Sequence, residues 1–142
     1  MSKKYNIAVV GATGAVGQMM IKILIERKFP IDNLYLLASK KSKGKIITIE
    51  GNKYQIDSLE EFNFKETDIA LFSAGGEISK KYASIATKNN AVVIDNTSFF
   101  RYEDNIPLIV PEVNSNEISK YKETGIIANP NCSTIQMLVA IK

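Results

Sequence analysis

The chain contains a single cysteine, Cys132, in the middle of the polar segment 129–134. Pro130 cannot continue a strand ladder, so we expect the chain to turn there and a helix to begin at Ser133 or Thr134. The dipole of such a helix favours a thiolate at its N-terminus, and its free N–H groups can stabilise an oxyanion. Cys132 is therefore a candidate nucleophile, although a lone cysteine is more often a small buried hydrophobe.

Two further features bear on this thiol. The chain has no histidine, the usual activator of a catalytic cysteine, which suggests that these residues are the first domain of a larger two-domain enzyme. Arg101, one of two arginines, follows a predicted strand ending at Asp95, and a guanidinium suits two-pronged binding of phosphate or carboxylate. A salt bridge from Arg101 to Glu103, Asp104 or Glu112 is an equally good interpretation.

Three glycines, Gly11, Gly14 and Gly17, join a continuous apolar run to a helical pattern. Glycines at such a junction allow a tight turn and a close approach of the backbone to a pyrophosphate, and the helix N-terminus offers free N–H groups. The spacing differs from Gly-x-Gly-x-x-Gly, and a tight turn without a ligand is the alternative. The strand-turn-helix context favours a dinucleotide site.

The end of the second predicted strand distinguishes between two nicotinamide cofactors. NAD-binding domains usually carry an acidic residue there, whereas this chain has Ser39, Lys41 and Ser42. These side chains can donate to a 2′-phosphate, which an acid would repel. We therefore expect NADP to bind more tightly than NAD, although a solvated loop is the ordinary interpretation of the basic run 40–45.

The remaining pattern alternates short apolar runs with amphipathic segments, which predicts parallel strands with right-handed crossovers. The expected fold is α/β and Rossmann-like, with a mostly parallel sheet and helices on both faces. Every candidate segment then lies beyond the carboxyl ends of the strands, where open sheets bind ligands. Strands are predicted at 5–10, 34–38, 69–73, 91–94, 108–110 and 126–128, a hairpin at 46–49 and 54–56, and helices at 15–27, 79–88 and 133–141.

Composition limits the function classes. The 142 residues make one ordinary domain, and a net charge of +3 favours neither a nucleic acid nor a membrane partner. We expect no signal peptide, no membrane span and no metal site, and a single cysteine fits the reducing cytoplasm. A thiol beside NADP implies aldehyde chemistry, in which a thiohemiacetal loses hydride and the resulting thioester is released to phosphate or water.

Six segments, in order from end to end of the chain, carry a family resemblance: 9–17, 37–39, 68–75, 93–98, 107–114 and 130–136. Through them the chain resembles the N-terminal, NADP-binding half of bacterial aspartate-semialdehyde dehydrogenases. The resemblance implies reductive dephosphorylation of L-aspartyl 4-phosphate to L-aspartate 4-semialdehyde with NADPH, a step toward lysine, diaminopimelate, threonine and methionine. It also implies a cytoplasmic homodimer whose small-molecule partners are aspartyl phosphate, aspartate semialdehyde and inorganic phosphate.

The resemblance assigns roles to residues. It implies Cys132 as the acyl-thioester nucleophile, Arg101 as a ligand of the substrate phosphate and Asn131 beside the acyl group. It places Thr13, Gly14, Ala15 and Val16 under the pyrophosphate, Lys41 and Ser42 at the 2′-phosphate, and Ser73, Ala74 and Gly75 along the cofactor, in addition to Gly11 and Ser39.

Two departures from the family matter. Lys41 stands where arginine is frequent, so the 2′-phosphate contact is a point charge rather than a fork. The family's catalytic histidine, glutamine and second substrate-binding arginine belong to a C-terminal substrate and dimerisation domain outside residues 1–142. We therefore expect the chain alone to be one NADP-binding domain without turnover. The alternatives are a reductase of the N-acetylglutamyl-phosphate type and a non-catalytic NADP-binding or redox-sensing module.

Overall fold

Seven strands alternate with helices in the computed structural model, which describes residues 3–142. The strands are β1 Tyr5–Val10, β2 Ile31–Ala38, β3 Ile46–Ile49, β4 Asn52–Ser58, β5 Ile69–Phe72, β6 Val92–Asp95 and β7 Ile126–Ala128. The α-helices are α1 Ala15–Glu26, α2 Gly76–Lys88, α3 Pro111–Asn114 and α4 Cys132–Ile141, with 3₁₀ turns at Lys40–Ser42, Leu59–Glu61, Phe64–Glu66 and Ser115–Glu123.

All seven strands form one sheet in the order β3-β4-β2-β1-β5-β6-β7. Every neighbouring pair is parallel except the hairpin of β3 and β4. The mostly parallel sheet and the hairpin confirm the sequence-based prediction. Because the parallel strands run in one direction, the loops that follow β1, β2, β5, β6 and β7 leave the sheet at the same edge.

The core lies on both faces of the sheet, which is why β1 has a continuous apolar run rather than an alternating one. Ile7 and Val9 point to one face, where they cluster with Ile21 of α1. Ala8 and Val10 point to the other, where Tyr82 and the alanines of α2 cover them. Helices therefore pack on both faces, as predicted.

The predicted strand at 108–110 is wrong as a separate strand. Only one isolated bridge forms, between Leu108 and Ala128, supported by a bond from Ile109 N to the Ala128 carbonyl. Pro107 lacks an N–H, and Pro111 already occupies the first position of α3. The two prolines therefore limit the pairing to a single register position.

Helix and strand boundaries differ from the predictions by a few residues. α4 begins at Cys132 itself rather than at Ser133 or Thr134, and β2 starts earlier, at Ile31. No helix within residues 3–142 is long and apolar enough to cross a membrane. The expectation about a signal peptide concerns residues 1–4, of which 1 and 2 lie outside the described part of the chain.

Candidate active site

A row of backbone hydrogen bonds ties together the loops at the carboxyl edge of the sheet. In each loop the first N–H after the strand donates to the last carbonyls of the neighbouring strand, so the loops start in fixed register. The bonds are Gly11 N to Leu37 O at 2.8 Å, Ser73 N to Val10 O at 2.9 Å, Asn96 N to Phe72 O at 2.9 Å and Asn129 N to Asp95 O at 2.8 Å. The structure thus brings the five candidate segments to one edge.

The glycine turn after β1 has no room for side chains at two of its glycines. A Cβ on Gly17 would lie 2.2 Å from the Gly11 carbonyl oxygen, and one on Gly11 would lie 2.9 Å from the Ser73 carbonyl carbon. Gly11 also has a φ of 91°, a left-handed conformation that favours glycine. Glycine is therefore required by this close packing of β1, α1 and the loop after β5.

The N-terminus of α1 opens onto this turn. Gly14 is its N-cap without a side-chain cap, and the first turn contains no acidic residue. The N–H groups of Ala15, Val16 and Gly17 have no acceptor among the described residues. Thr13, Ala15 and Val16 are exposed. Free N–H groups together with the helix dipole suit an anionic group such as a pyrophosphate.

The basic loop after β2 is partly neutralised by a residue that is distant in sequence. Glu61 forms ion pairs with Lys40, at 3.2 Å, and with Lys43. The hydrogen bond with Glu61 raises the pKa of Lys43, and the bonds from Lys43 and Lys40 lower the pKa of Glu61. Lys41 has no acidic partner within 4 Å in the described part of the chain and is exposed. Of these three lysines, Lys41 is thus available to a ligand.

Glu60 also forms hydrogen bonds with the loop after β2. Its carboxylate accepts hydrogen bonds from Lys40 N at 3.0 Å and from Ser58 Oγ at 3.1 Å. Ser39, exposed, precedes the 3₁₀ turn that Lys40 begins, and Ser42 is half-buried. The sequence analysis missed Glu60 and Glu61, because the acidic pair follows β4 and reaches the loop only through the pairing of β2 with β4.

The loop after β5 lies between the glycine turn and α2. Ser73 Oγ donates to the Val10 carbonyl at 3.2 Å, so its hydroxyl is engaged by the sheet. Ala74 and Gly75 are exposed, and Gly75 is the N-cap of α2 with a φ of 97°. A side chain at Gly75 would have space but a strained backbone.

Cys132 is the first residue of α4 and its side chain is exposed, so the interpretation as a buried hydrophobe does not hold. Asn131 is the N-cap, and its Oδ1 accepts a hydrogen bond from Ser133 N at 2.9 Å. The N–H groups of Cys132 and Thr134 have no acceptor among the described residues. Two free N–H groups at the start of a helix, beside a thiol, can stabilise an oxyanion on a carbonyl that the sulfur attacks.

Arg101 is bound to the backbone that leads to this thiol. Its Nε donates to the Asn129 carbonyl at 2.9 Å, and one terminal nitrogen donates to the Asn96 carbonyl at 3.1 Å. No carboxylate lies within 4 Å of the guanidinium among residues 3–142, so the predicted salt bridge is not observed. A guanidinium has five N–H donors, which leaves donors for an anion.

Comparison with known proteins identifies the family. The family model described as the semialdehyde dehydrogenase NAD-binding domain matches residues 6–121. The chain belongs to this family. The chain is 56% identical, over its whole length, to aspartate-semialdehyde dehydrogenase 2 of Vibrio cholerae, of which it covers 42%. It therefore spans less than half the length of this relative.

Solved structures agree. The crystal structure of V. cholerae aspartate semialdehyde dehydrogenase II complexed with ASA has a TM-score of 0.94 and 55% identity over 99% of this chain and 46% of that one. The enzyme from Candida albicans, solved with NADP, has a TM-score of 0.77 and 26% identity over 97% of this chain and 46% of that one. The predicted Rossmann-like class and family are confirmed, and the fold is that of a nicotinamide-nucleotide-binding domain.

Proposed function

We propose that this chain is the NADP-binding and nucleophile-bearing domain of an aspartate-semialdehyde dehydrogenase. The longer protein would convert L-aspartyl 4-phosphate and NADPH to L-aspartate 4-semialdehyde, NADP⁺ and inorganic phosphate. The observation that carries the proposal is the position of Cys132, which is exposed at the first turn of α4, while Arg101 is hydrogen-bonded to the Asn129 carbonyl three residues earlier.

The chain's own residues fit a dinucleotide. The glycine turn excludes side chains from the surface between β1 and α1, and the free N–H groups of Ala15 and Val16 suit the pyrophosphate. Gly11, Thr13 and Gly14 complete this turn, and Ser73, Ala74 and Gly75 continue the same edge. Lys41, with Ser39 and Ser42, suits the 2′-phosphate, because Glu61 occupies Lys40 and Lys43.

The reaction would proceed on the sulfur. The Cys132 thiolate attacks the acyl carbon of aspartyl phosphate, the free N–H groups of Cys132 and Thr134 stabilise the oxyanion, and phosphate leaves to give a thioester. Bound NADPH supplies the hydride that reduces this acyl group. The C–S bond of the thiohemiacetal then breaks, which releases the aldehyde and regenerates the thiolate.

Arg101 and Asn131 would orient the substrate. The donors of Arg101 that are left after its two backbone bonds would hold the phosphate group. Asn131 uses its Oδ1 to cap α4, which leaves its amide N–H₂ for the acyl oxygen. The Cys132 thiol needs a base to become the thiolate, and the chain has no histidine, so we propose that this base belongs to the remainder of the longer protein. For residues 1–142 alone we propose cofactor binding without turnover. A cytoplasmic homodimer is proposed for the longer enzyme from the family resemblance.

A chimera tests the proposal. Residues 1–142 of this chain would be joined to the remainder of V. cholerae aspartate-semialdehyde dehydrogenase 2, which is 56% identical over the matched part. We expect reduction of NADP⁺ that requires both aspartate semialdehyde and inorganic phosphate, and loss of this activity in the Cys132→Ser chimera. A folded chimera that reduces NADP⁺ without phosphate, or retains activity without the thiol, would refute the proposal.

A further inference from the structure

A buried carboxylate lies below the edge that carries Arg101 and Cys132. Asp95 ends β6 and is 0% exposed, and it has no cationic partner among residues 3–142. A buried carboxylate is costly unless hydrogen bonds replace its lost hydration. The proposed reaction does not use Asp95, so its presence needs another explanation.

Hydroxyl and N–H donors satisfy both oxygens of this carboxylate. Oδ1 accepts from Ser79 Oγ at 2.8 Å and from Thr97 N at 3.1 Å, and Oδ2 accepts from Thr97 Oγ1 at 2.7 Å. Ser79 is 0% exposed and belongs to α2, and Thr97 is 8% exposed. The carboxylate therefore joins α2 to the first residues of the loop after β6. We name Asp95, Ser79 and Thr97 the buried triad.

The buried triad determines the course of the loop that carries Arg101. Thr97 Oγ1 also accepts a hydrogen bond from Phe99 N at 3.3 Å, so one hydroxyl fixes two successive turns of the loop. Arg101 follows in the same loop, and its backbone N–H donates to the Ser98 carbonyl at 3.4 Å. Arg101 thus lies four residues after Thr97, and two backbone N–H groups of the intervening segment, those of Phe99 and Arg101, are hydrogen-bonded within it.

The end of β6 also binds segment 129–131, which leads to Cys132. The N–H of Asn129 donates to the Asp95 carbonyl at 2.8 Å, while the carbonyl of Asn129 accepts from Arg101 Nε at 2.9 Å. Both backbone polar groups of Asn129 are therefore hydrogen-bonded, one to the carbonyl of Asp95 and one to the side chain of Arg101. Three residues further along the chain lies Cys132.

We propose that Asp95, Ser79 and Thr97 are positioning residues that hold the guanidinium of Arg101 against segment 129–131, which leads to Cys132. The juxtaposition of anion ligand and nucleophile is then set by a buried polar network, in which each donor has an acceptor, and not by a salt bridge on the surface. The role in positioning the phosphate ligand rests on the proposed function, whereas the effect on Arg101 itself does not.

The test uses hydrogen exchange of the two arginine Nε–H groups in the 142-residue chain, followed by heteronuclear NMR. Arg101 Nε–H is hydrogen-bonded and half-buried, whereas Arg27 is exposed and its side chain forms no hydrogen bond within residues 3–142, so Arg27 is an internal reference. We expect exchange at Arg101 to be slower than at Arg27. In Thr97→Val and Ser79→Ala we expect it to accelerate about tenfold, the loss of one hydrogen bond, toward the rate of Arg27.

A matched control separates positioning from general loss of packing. Thr67 is also a buried threonine, 4% exposed, and its hydroxyl has no partner among the described residues. Thr67→Val should leave the exchange rate at Arg101 unchanged. Thr97→Ser, which keeps the hydroxyl, should have the slow exchange of the wild type rather than the fast exchange of Thr97→Val. Asp95→Asn, which presents an NH₂ group to the same donors, should have an effect at least as large as Thr97→Val. If Asp95→Asn does not fold, the Thr97 and Ser79 variants decide.

Unchanged Arg101 exchange in folded Thr97→Val and Ser79→Ala variants would overturn the proposal, and so would equal acceleration in Thr67→Val. A separate measurement concerns the proposed function. Inorganic phosphate should slow alkylation of Cys132 by iodoacetamide in the wild-type chain, and should slow it less in Thr97→Val. Absence of protection in the wild type would count against phosphate binding by Arg101, while the exchange data would still decide the positioning role.

Discussion

The most direct test of cofactor choice is a comparison of three lysines in one loop. Lys40 and Lys43 are paired with Glu61, whereas Lys41 has no acidic partner in the described part of the chain. We therefore expect Lys41→Ala to weaken NADP binding, and Lys40→Ala and Lys43→Ala to have much smaller effects. All three variants lose one positive charge from the same few residues, so they are matched for the net charge of the protein.

The size of the effect follows from Coulomb's law. A unit charge about 4 Å from a phosphate charge contributes about 1 kcal/mol in water and more near a protein surface, so about 1–2 kcal/mol is expected for one exposed ammonium. This corresponds to a roughly 5- to 30-fold rise in the Kd for NADP. The Kd for NAD, which has no 2′-phosphate, should not change.

Isothermal titration of the 142-residue chain with NADP and NAD, at low and high salt, measures these constants. The preference of the wild type for NADP should diminish as salt increases, because the contact is made by an exposed point charge. The reasoning fails if Lys43→Ala weakens NADP binding as much as Lys41→Ala does, or if Lys41→Ala weakens NADP and NAD equally. Equal affinity of the wild type for both cofactors would reject the predicted NADP preference itself.

Three further predictions concern other parts of the edge. Cys132→Ser should abolish alkylation by iodoacetamide yet leave NADP binding intact and change the free energy of unfolding by less than about 0.5 kcal/mol, since the side chain is exposed; a destabilised variant would show that the sulfur packs in the core. Gly17→Ala should destabilise the chain in urea by about 1–3 kcal/mol or more and abolish dinucleotide binding, because its Cβ would lie 2.2 Å from a backbone oxygen; normal binding would contradict the close packing of the turn. Glu61→Gln should lower stability more at neutral pH than at about pH 3, because a carboxylate whose pKa is lowered in the folded state stabilises it above the unfolded-state pKa and loses this contribution as pH falls through the folded-state pKa. Urea unfolding at both pH values measures this difference, and an equal effect at each would be inconsistent with the ion pairs.

The sequence predicted those features that depend on local patterns. The apolar run 7–10 identifies a strand buried on both faces, and Gly11 to Gly17 identify the turn that follows, because each signal lies within a few residues. The error at 108–110 has a local cause as well: apolar residues suggested a strand, but the flanking prolines leave only one bridge. Strand propensity alone does not show how many backbone N–H groups are available for hydrogen bonds to a neighbouring strand.

The missed residues have a different origin. Glu61 is 18 residues from Lys43, and Ser79 is 16 residues from Asp95, so nothing in the linear sequence marks either pair. Asp95 reads in sequence as the polar end of a strand, where an exposed side chain is expected. Only the packing of α2 against β6 shows that it is buried and satisfied by donors from two elements.

Different interactions stabilise the two parts of the carboxyl edge, the loop after β2 and the loop after β6, so substitutions in them should act independently. The cofactor end depends on close packing of glycines and on exposed charges after β2, whereas the nucleophile end depends on buried hydrogen bonds after β6. In the sheet order, three strand spacings separate β2 from β6, which is about 14 Å. Sites this far apart with no shared partner combine additively. In the double variant Lys41→Ala and Thr97→Val, the NADP affinity should therefore equal that of Lys41→Ala alone, and the exchange rate at Arg101 should equal that of Thr97→Val alone. A large coupling between them would mean that the sheet edge responds as one unit.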